Sequence, residues 1–419
     1  MYEHNPPPTP QRLHALSLTQ WRQFEDLELD LSHRVTILTG ENGTGKTTLL
    51  KLIGKHFQAP SSFIASPRRE ADGTMSWLAD PDSRSNERSV GTFTYGTESG
   101  QLISAPAFIH SAGVNHNANV PALLPGIFIA SHSRVGAHHG YGAIPLTFPS
   151  TSEILERGRG AAAVLLAGDS YGGPTIQSTI KETLISAAIL GYGNQAMQPD
   201  PRALDIWVNF QEVLRSLLPS TLGFKQLAIA LPELMIERDE GEAFLLEASS
   251  GGITKLIEIG WLLYLQSLET PEFTVCIDEP ENHLHPSLQR TLLPGLLRAF
   301  PGARFIVATH SPFVVTASPD GHVYALEYEE GSVQARSLDF RGKAASADAT
   351  LRRVLGVQST MPVWVEQRLS EALNRAATQG STQSLLSLHR QMNELGLNDE
   401  FPATLESLKE IAEARDEED

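Results

Sequence analysis

Eight residues, Gly40-Glu41-Asn42-Gly43-Thr44-Gly45-Lys46-Thr47, constrain this chain more than any other stretch. They match G-x-x-x-x-G-K-[ST], the P-loop pattern that holds nucleotide phosphates. The flanks fit as well. Arg34-Val35-Thr36-Ile37-Leu38-Thr39 is a short apolar, β-branched run that reads as a buried strand. Thr48-Leu49-Leu50-Lys51-Leu52-Ile53 has helical spacing. Glycines let the backbone curl so that successive N–H groups point inward at a helix N-terminus, which makes a concave anion site. Asn42, Gly43, Thr44, Gly45, Lys46, Thr47 and Thr48 are therefore the candidate phosphate ligands. Lys46 would reach the β- and γ-phosphates, and the Thr47 hydroxyl would ligate Mg²⁺.

The surroundings of that motif are those of a globular protein. The 419 residues are 41% hydrophobic and 19% charged, enough for a full core and for two or three domains. Cys276 is the single cysteine, so neither an internal disulfide nor a cysteine-based zinc site can form. It lies in an apolar run and reads as a core thiol, and a reducing, cytoplasmic location is expected. The N-terminal residues carry no apolar signal segment, and no run of about 18 uncharged apolar residues crosses a membrane. The formal net charge of −17 argues against a uniformly basic nucleic-acid binder and leaves room for a local basic groove. The acidic cluster Asp416–Asp419 reads as a solvated terminus.

Residues 13–18 and 27–31 alternate as half-buried strands do. Residues 61–120 are rich in Ser, Gly, Pro, Asn and Asp, with weak periodicity, and read as a loop-rich insertion or a small antiparallel lobe. Ile127-Phe128-Ile129-Ala130 is another apolar strand. Helical patterns follow over 176–218, strands over 224–247, and helices over about 345–419. Four parts are expected: an N-terminal piece of a nucleotide head at 11–175, a helical insertion at 176–222, the rest of the head at 223–340, and a helical C-terminal region at 341–419.

Three further pieces belong with a phosphate site. Phe273-Thr274-Val275-Cys276-Ile277-Asp278-Glu279 is a strand ending in two carboxylates. Asp278 is assigned to Mg²⁺ and Glu279 to the attacking water. Arg304-Phe305-Ile306-Val307-Ala308-Thr309-His310-Ser311 is a strand ending in a histidine that can hydrogen-bond phosphate or water. Glu279 and His310 are the catalytic candidates. Ser249, Ser250 and Gly251 open a helix whose N-terminus is either a second phosphate contact or an ordinary cap.

In the order P-loop, Ser-Ser-Gly helix start, Asp-Glu strand, His strand, the chain resembles the ABC-type ATPase heads of the RecF/SMC/OLD group. The pieces correspond to Walker A, signature, Walker B and H-loop, across residues 12–60 and 245–315. Asp278-Glu279-Pro280-Glu281-Asn282-His283-Leu284-His285-Pro286 looks especially like the OLD-like ATPases. The resemblance implies an α/β P-loop fold of ABC type, a mixed sheet flanked by helices, with a helical insertion and a helical C-terminal region. It implies a head-to-head dimer or higher homo-oligomer with ATP between two heads, Walker A of one facing Ser250 and Gly251 of the other. It also implies a separate effector, for which a nuclease in bacterial antiviral defence is the fitting example. A RecF-like ATPase contacting DNA directly and a transporter subunit are the alternatives. Against the transporter, the Leu and Gln of Leu-Ser-Gly-Gly-Gln are missing here, and the Q-loop has only Ser131–Arg134 as a stand-in. A GTPase is disfavoured because no N-K-x-D follows the P-loop.

The remaining candidates have plain readings. His132, His138 and His139 are a metal site or exposed loop histidines. Asp80-Pro81-Asp82 has D-x-D spacing, but its proline favours a loop. Trp21-Arg22-Gln23-Phe24 is either a base contact or a packed turn. Val363-Trp364-Val365 and Leu385–Leu388 are core or a partner surface.

Overall fold

The computed structural model describes residues 9–59, 61–64, 68–69, 75–76, 87–112, 115–131, 147–167, 174–318 and 320–338. The chain divides into two compact units, Met1–Gly356 and Val357–Asp419, and the described residues all fall in the first. Asp80–Asp82, His132, His138, His139, Arg134, the 341–419 helices and the acidic end lie outside them.

In chain order the elements are β1 (Pro10–Trp21), β2 (Phe24–Asp30), β3 (Val35–Gly40) and α1 (Lys46–Gly54), then β4 (Phe63–Ile64), β5 (Arg68–Arg69) and β6 (Met75–Ser76). β7 (Glu87–Thr97), β8 (Leu102–Ala112), β9 (Asn115–Asn119) and β10 (Gly126–Ile129) come next, followed by α2 (Thr151–Ala167), α3 (Ile176–Tyr192) and α4 (Pro201–Leu217). β11 (Phe224–Ala230), β12 (Glu233–Arg238) and β13 (Ala243–Leu245) precede α5 (Gly251–Glu269) and β14 (Phe273–Asp278). α6 (Pro286–Ala299), β15 (Ala303–Ala308), α7 (Pro312–Val315), β16 (His322–Glu329) and β17 (Ser332–Ser337) complete the set.

Two six-stranded sheets organise the unit. The central one runs β10-β14-β15-β3-β16-β17, parallel except for the edge strand β17. Every residue of β3 and β14 is buried, as expected for strands covered on both faces. Their side chains alternate between two cores. Ile37, Val275, Ile277, Phe305 and Val307 join the helices α2 to α6 on one face. Leu38, Cys276, Ile306 and Ala308 join α1 and the second sheet on the other. On the helical side Trp261 meets Phe210 edge-on, with ring centroids 4.9 Å apart.

The second sheet, β2-β1-β7-β8-β9-β4, is antiparallel throughout. It answers the ambiguity over 61–120. The strands β4, β7, β8 and β9 of that region are an antiparallel lobe that shares one sheet with β1 and β2, while β5 and β6 pair with each other in a sheet of two. Helices therefore flank the central sheet on one face, while α1 and a sheet cover the other.

Candidate nucleotide site

Three neighbouring parallel strands bring the motifs together at their C-terminal ends, where open α/β sheets bind ligands. Asp278 pairs with Ala308 across β14 and β15, and Ala308 pairs with Leu38 across β15 and β3. The Thr309 amide continues the ladder to the Leu38 carbonyl at 3.0 Å. Strand spacing of about 4.8 Å leaves β14 about 10 Å from β3, two strands away. The helix α1 spans that gap, packing over both β15 and β14.

The P-loop has the backbone its glycines allow. Gly40, Gly43 and Gly45 have φ of +135°, +88° and +95°, conformations that L side chains avoid. The α1 N-cap, Gly45, offers no side-chain cap. The first-turn amides of Lys46, Thr47 and Thr48 are thus open to an anion. Asn42 and Gly43 are exposed, and the Thr44 hydroxyl donates to the Glu41 carbonyl at 2.9 Å. Lys46 bends back over the loop, donating to the carbonyls of Gly40 at 2.9 Å and Glu41 at 2.7 Å. Burial brings its pKa down to about 8, with Glu279, Asp278 and Glu281 opposing. A phosphate group would restore the missing negative partner.

The Thr47 hydroxyl lies 3.1 Å and 3.0 Å from the two carboxylate oxygens of Asp278. Burial first of all raises Asp278 to about 6, and Glu279 and Glu281 add to the rise. A hydroxyl beside a carboxylate short of positive charge is a hard-oxygen donor set suited to Mg²⁺. Beside it, Glu279 takes φ +45°, a left-handed conformation costing on the order of 1 kcal/mol or more in a non-glycine residue. Its amide donates to the Ala308 carbonyl at 2.8 Å, which fixes that geometry. One carboxylate oxygen accepts from Asn282 Nδ2 at 2.8 Å, and the other lies 3.7 Å from His310 Nε2. Burial, and then the Lys46 charge, lower the His310 pKa.

Ser249, Ser250 and Gly251 open α5 with no side-chain cap. A methyl placed on Gly252 would come 2.9 Å from the His283 carbonyl oxygen, so the start of α5 lies against the turn that follows Glu279. The sequence candidates thus form one constellation, P-loop with Asp278, Glu279 and His310, and a separate helix start.

Several partners escaped the sequence reading. Glu281 accepts from Thr309, His310 and Ser311. The Tyr328 hydroxyl donates to the Gly43 carbonyl at 3.1 Å. Lys255 Nζ donates to the Ala130 carbonyl at 3.1 Å, one residue before the stand-in Ser131. Of Trp21-Arg22-Gln23-Phe24, Trp21 and Phe24 are core, and Phe24 packs beneath Gly45. The advance signals for Glu281 were its place two residues after Glu279 and within the Asp278–Pro286 stretch, neither of which names its partners.

Two protein-family profiles match the chain, one described as "AAA domain" over residues 15–54 and one as "AAA domain, putative AbiEii toxin, Type IV TA system" over residues 235–316. Among curated proteins, the DNA replication and repair protein RecF of Rhizobium meliloti is 37% identical over 21% of this chain and 25% of its own length. The retron Ec83 probable ATPase of Escherichia coli is 30% identical over 28% of this chain and 23% of its own length. Over part of its length the chain is thus similar to AAA-type P-loop ATPases of the RecF and retron kind. The matches span about a quarter of the length of these curated relatives. Among solved structures, an SMC head domain from Thermotoga maritima is 17% identical and aligns with TM-score 0.42, over 78% of this chain and 100% of that chain. Among the described residues of the ATPase head, no helix is long and apolar enough to cross a membrane.

Proposed function

We propose that this chain binds ATP with Mg²⁺, hydrolyses it, and self-associates around nucleotide to regulate a separate effector protein. The observation that carries the reading is the Thr47–Asp278 contact beside the Glu279–His310 pair. Lys46, the first-turn amides and Gly43 to Gly45 bind the phosphates. Thr47 and Asp278 hold Mg²⁺, which supplies charge neutralisation at the phosphates. Glu279 orients the attacking water and accepts its proton. His310, neutral after its lowered pKa, donates or accepts a hydrogen bond beside it. Ser249, Ser250 and Gly251 serve the partner head's nucleotide, in line with their position away from this chain's own P-loop contacts. The four-part division at 11–175, 176–222, 223–340 and 341–419 belongs to the same proposal, as does a cytoplasmic site of action.

The effector part draws support from two similarities, to a toxin-system AAA domain and to a retron ATPase. A nuclease in antiviral defence is the effector class it points toward. A RecF-like ATPase that binds DNA directly is the second reading, favoured by the RecF similarity.

The test is the solution mass of the purified chain with and without ATP-Mg²⁺, for wild type and Glu279→Gln. The expected result is a stable ATP-dependent dimer or larger assembly in Glu279→Gln, while wild type returns to its starting mass as ATP is consumed. ATP binding with no change of mass in either protein would defeat the shared-site reading of Ser250 and Gly251.

A further inference from the structure

Three donors converge on one oxygen in the turn after β14. Glu281 Oε1 accepts from the Thr309 hydroxyl at 2.6 Å, the His310 amide at 2.8 Å and the Ser311 amide at 3.1 Å. The side chain is buried, and its other oxygen, Oε2, has no hydrogen-bond partner among the described residues. A buried carboxylate with one bare oxygen is unfavourable by itself, and an apolar side chain of similar volume would fill the space without that desolvation. Its contacts identify what the arrangement accomplishes. All three donors belong to the loop leaving β15, and Glu281 itself belongs to the loop leaving β14. His310 and Glu279 sit on those same two loops, 3.7 Å apart. Asn282, the next residue, holds the second Glu279 oxygen at 2.8 Å. The far side of the loop is braced too, because the Ser311 hydroxyl donates to Gln289 Oε1 at 2.6 Å.

Resting on the ATPase reading above, the geometry points to Glu281 as a positioning residue that clamps the His310 loop to the Glu279 turn. Its carboxylate touches no reacting atom. It fixes the backbone on which His310 rides, and Asn282 fixes the carboxylate that His310 meets. Binding of the phosphates is left to the P-loop. Loosening the clamp therefore lowers turnover and leaves affinity. A displacement of about 1 Å at such a pair can lower a rate on the order of 100-fold.

The experiment compares the full chain with Glu281→Ala, Glu281→Gln and Thr309→Val, reading steady-state ATP turnover and the Kd for a fluorescent ATP analogue with Mg²⁺. Glu281→Ala is expected to lower kcat by about 10- to 100-fold and to change Kd by less than about threefold. Glu281→Gln is expected to keep kcat within about threefold, because an amide oxygen accepts the same three donors. Thr309→Val should fall between them. Wild-type turnover in Glu281→Ala overturns the clamp, and so does Glu281→Gln failing as badly as Glu281→Ala. A wild-type chain that binds nucleotide without turning it over defeats the ATPase reading instead. The clamp is then read by melting: Glu281→Ala and Thr309→Val together should lower Tm by less than the sum of the two, and additive losses would overturn it.

Discussion

Gly45 is held from two directions. Its φ of +95° disfavours any side chain, and a methyl there would meet Gln23 Nε2 at 2.2 Å and the Phe24 ring at 2.5 Å. The Gln23 amide can swing away, but Phe24 is fully buried and cannot. Gly45→Ala should therefore displace the loop and cost about 2 kcal/mol in stability, from left-handed strain and overpacking together. A thermal melt combined with nucleotide titration checks it, and an unchanged Tm with unchanged affinity would refute the account. Lys46, Thr47 and Asp278 could be read from the sequence because each occupies a fixed step from a glycine or a strand end. Glu281 could not, because the hydroxyl it accepts from is 28 residues away, on the loop that leaves another strand. Spacing along one strand carries no information about which loop will lie opposite.

At the scale of elements, the short 3-10 turn after α1, Lys55–Phe57, is fastened to the antiparallel sheet by one buried imidazole. His56 Nδ1 donates to the Ile53 carbonyl at 2.8 Å, and Nε2 accepts from the Tyr95 hydroxyl at 2.9 Å. A carbonyl can only accept, so the ring is the neutral Nδ1–H tautomer. Burial lowers its pKa to about 4 from 6.5. Because the folded value is depressed, this stability is fully present above pH 6.5 and is lost as pH falls through about 4. The wild type should lose more Tm than His56→Gln between pH 6.5 and 4, with an excess slope of up to about 1.4 kcal/mol per pH unit. Parallel curves for the two proteins would refute it.

A second tie joins α3 to the segment just before Ser249. Lys181 is buried, with Nζ 2.5 Å from Glu233 and 2.8 Å from Glu247. Lys181→Met would leave two facing carboxylates and should destabilise by about 3 kcal/mol, read from denaturant unfolding. A loss under about 0.5 kcal/mol would mean that the pairs only break even. The long strands β7 and β8 were the elements least visible in the sequence. Glu87-Arg88-Ser89-Val90-Gly91-Thr92 slips register between Ser89 and Gly91, so the alternation that marks a strand is interrupted where it would be counted. On β7 the half-buried threonines Thr92 and Thr94 alternate with Phe93 and Tyr95 only after that slip.

Across the whole molecule, formal charge sets the expected response to salt. Two chains of net charge −17 repel, and a Debye length of about 10 Å at 0.1 M screens that repulsion. ATP-driven association should strengthen as ionic strength rises from about 0.02 to 0.3 M, followed by sedimentation. A DNA complex would weaken steeply over the same range, so the sign of the salt dependence separates the two functional readings. The fold class was legible because its motifs fall at strand ends in a fixed order. The second sheet was legible only as one of two alternatives for 61–120, because nothing in that weak periodicity shows that its strands continue the sheet begun by β1 and β2.

The strand that carries the P-loop also has a history during synthesis. β3 pairs only with β15 and β16 among the described strands, and the Thr39 hydroxyl finds its acceptor, the Thr309 carbonyl, 270 residues later in the chain. At ribosomal rates of about 5–20 residues per second, that separation is on the order of tens of seconds. Through that interval Val35-Thr36-Ile37-Leu38 is an apolar strand without its neighbours, although β1, β2 and β7 can already pair. The nucleotide cradle is begun with β3 and has no floor until Ala303–Ala308 leaves the ribosome.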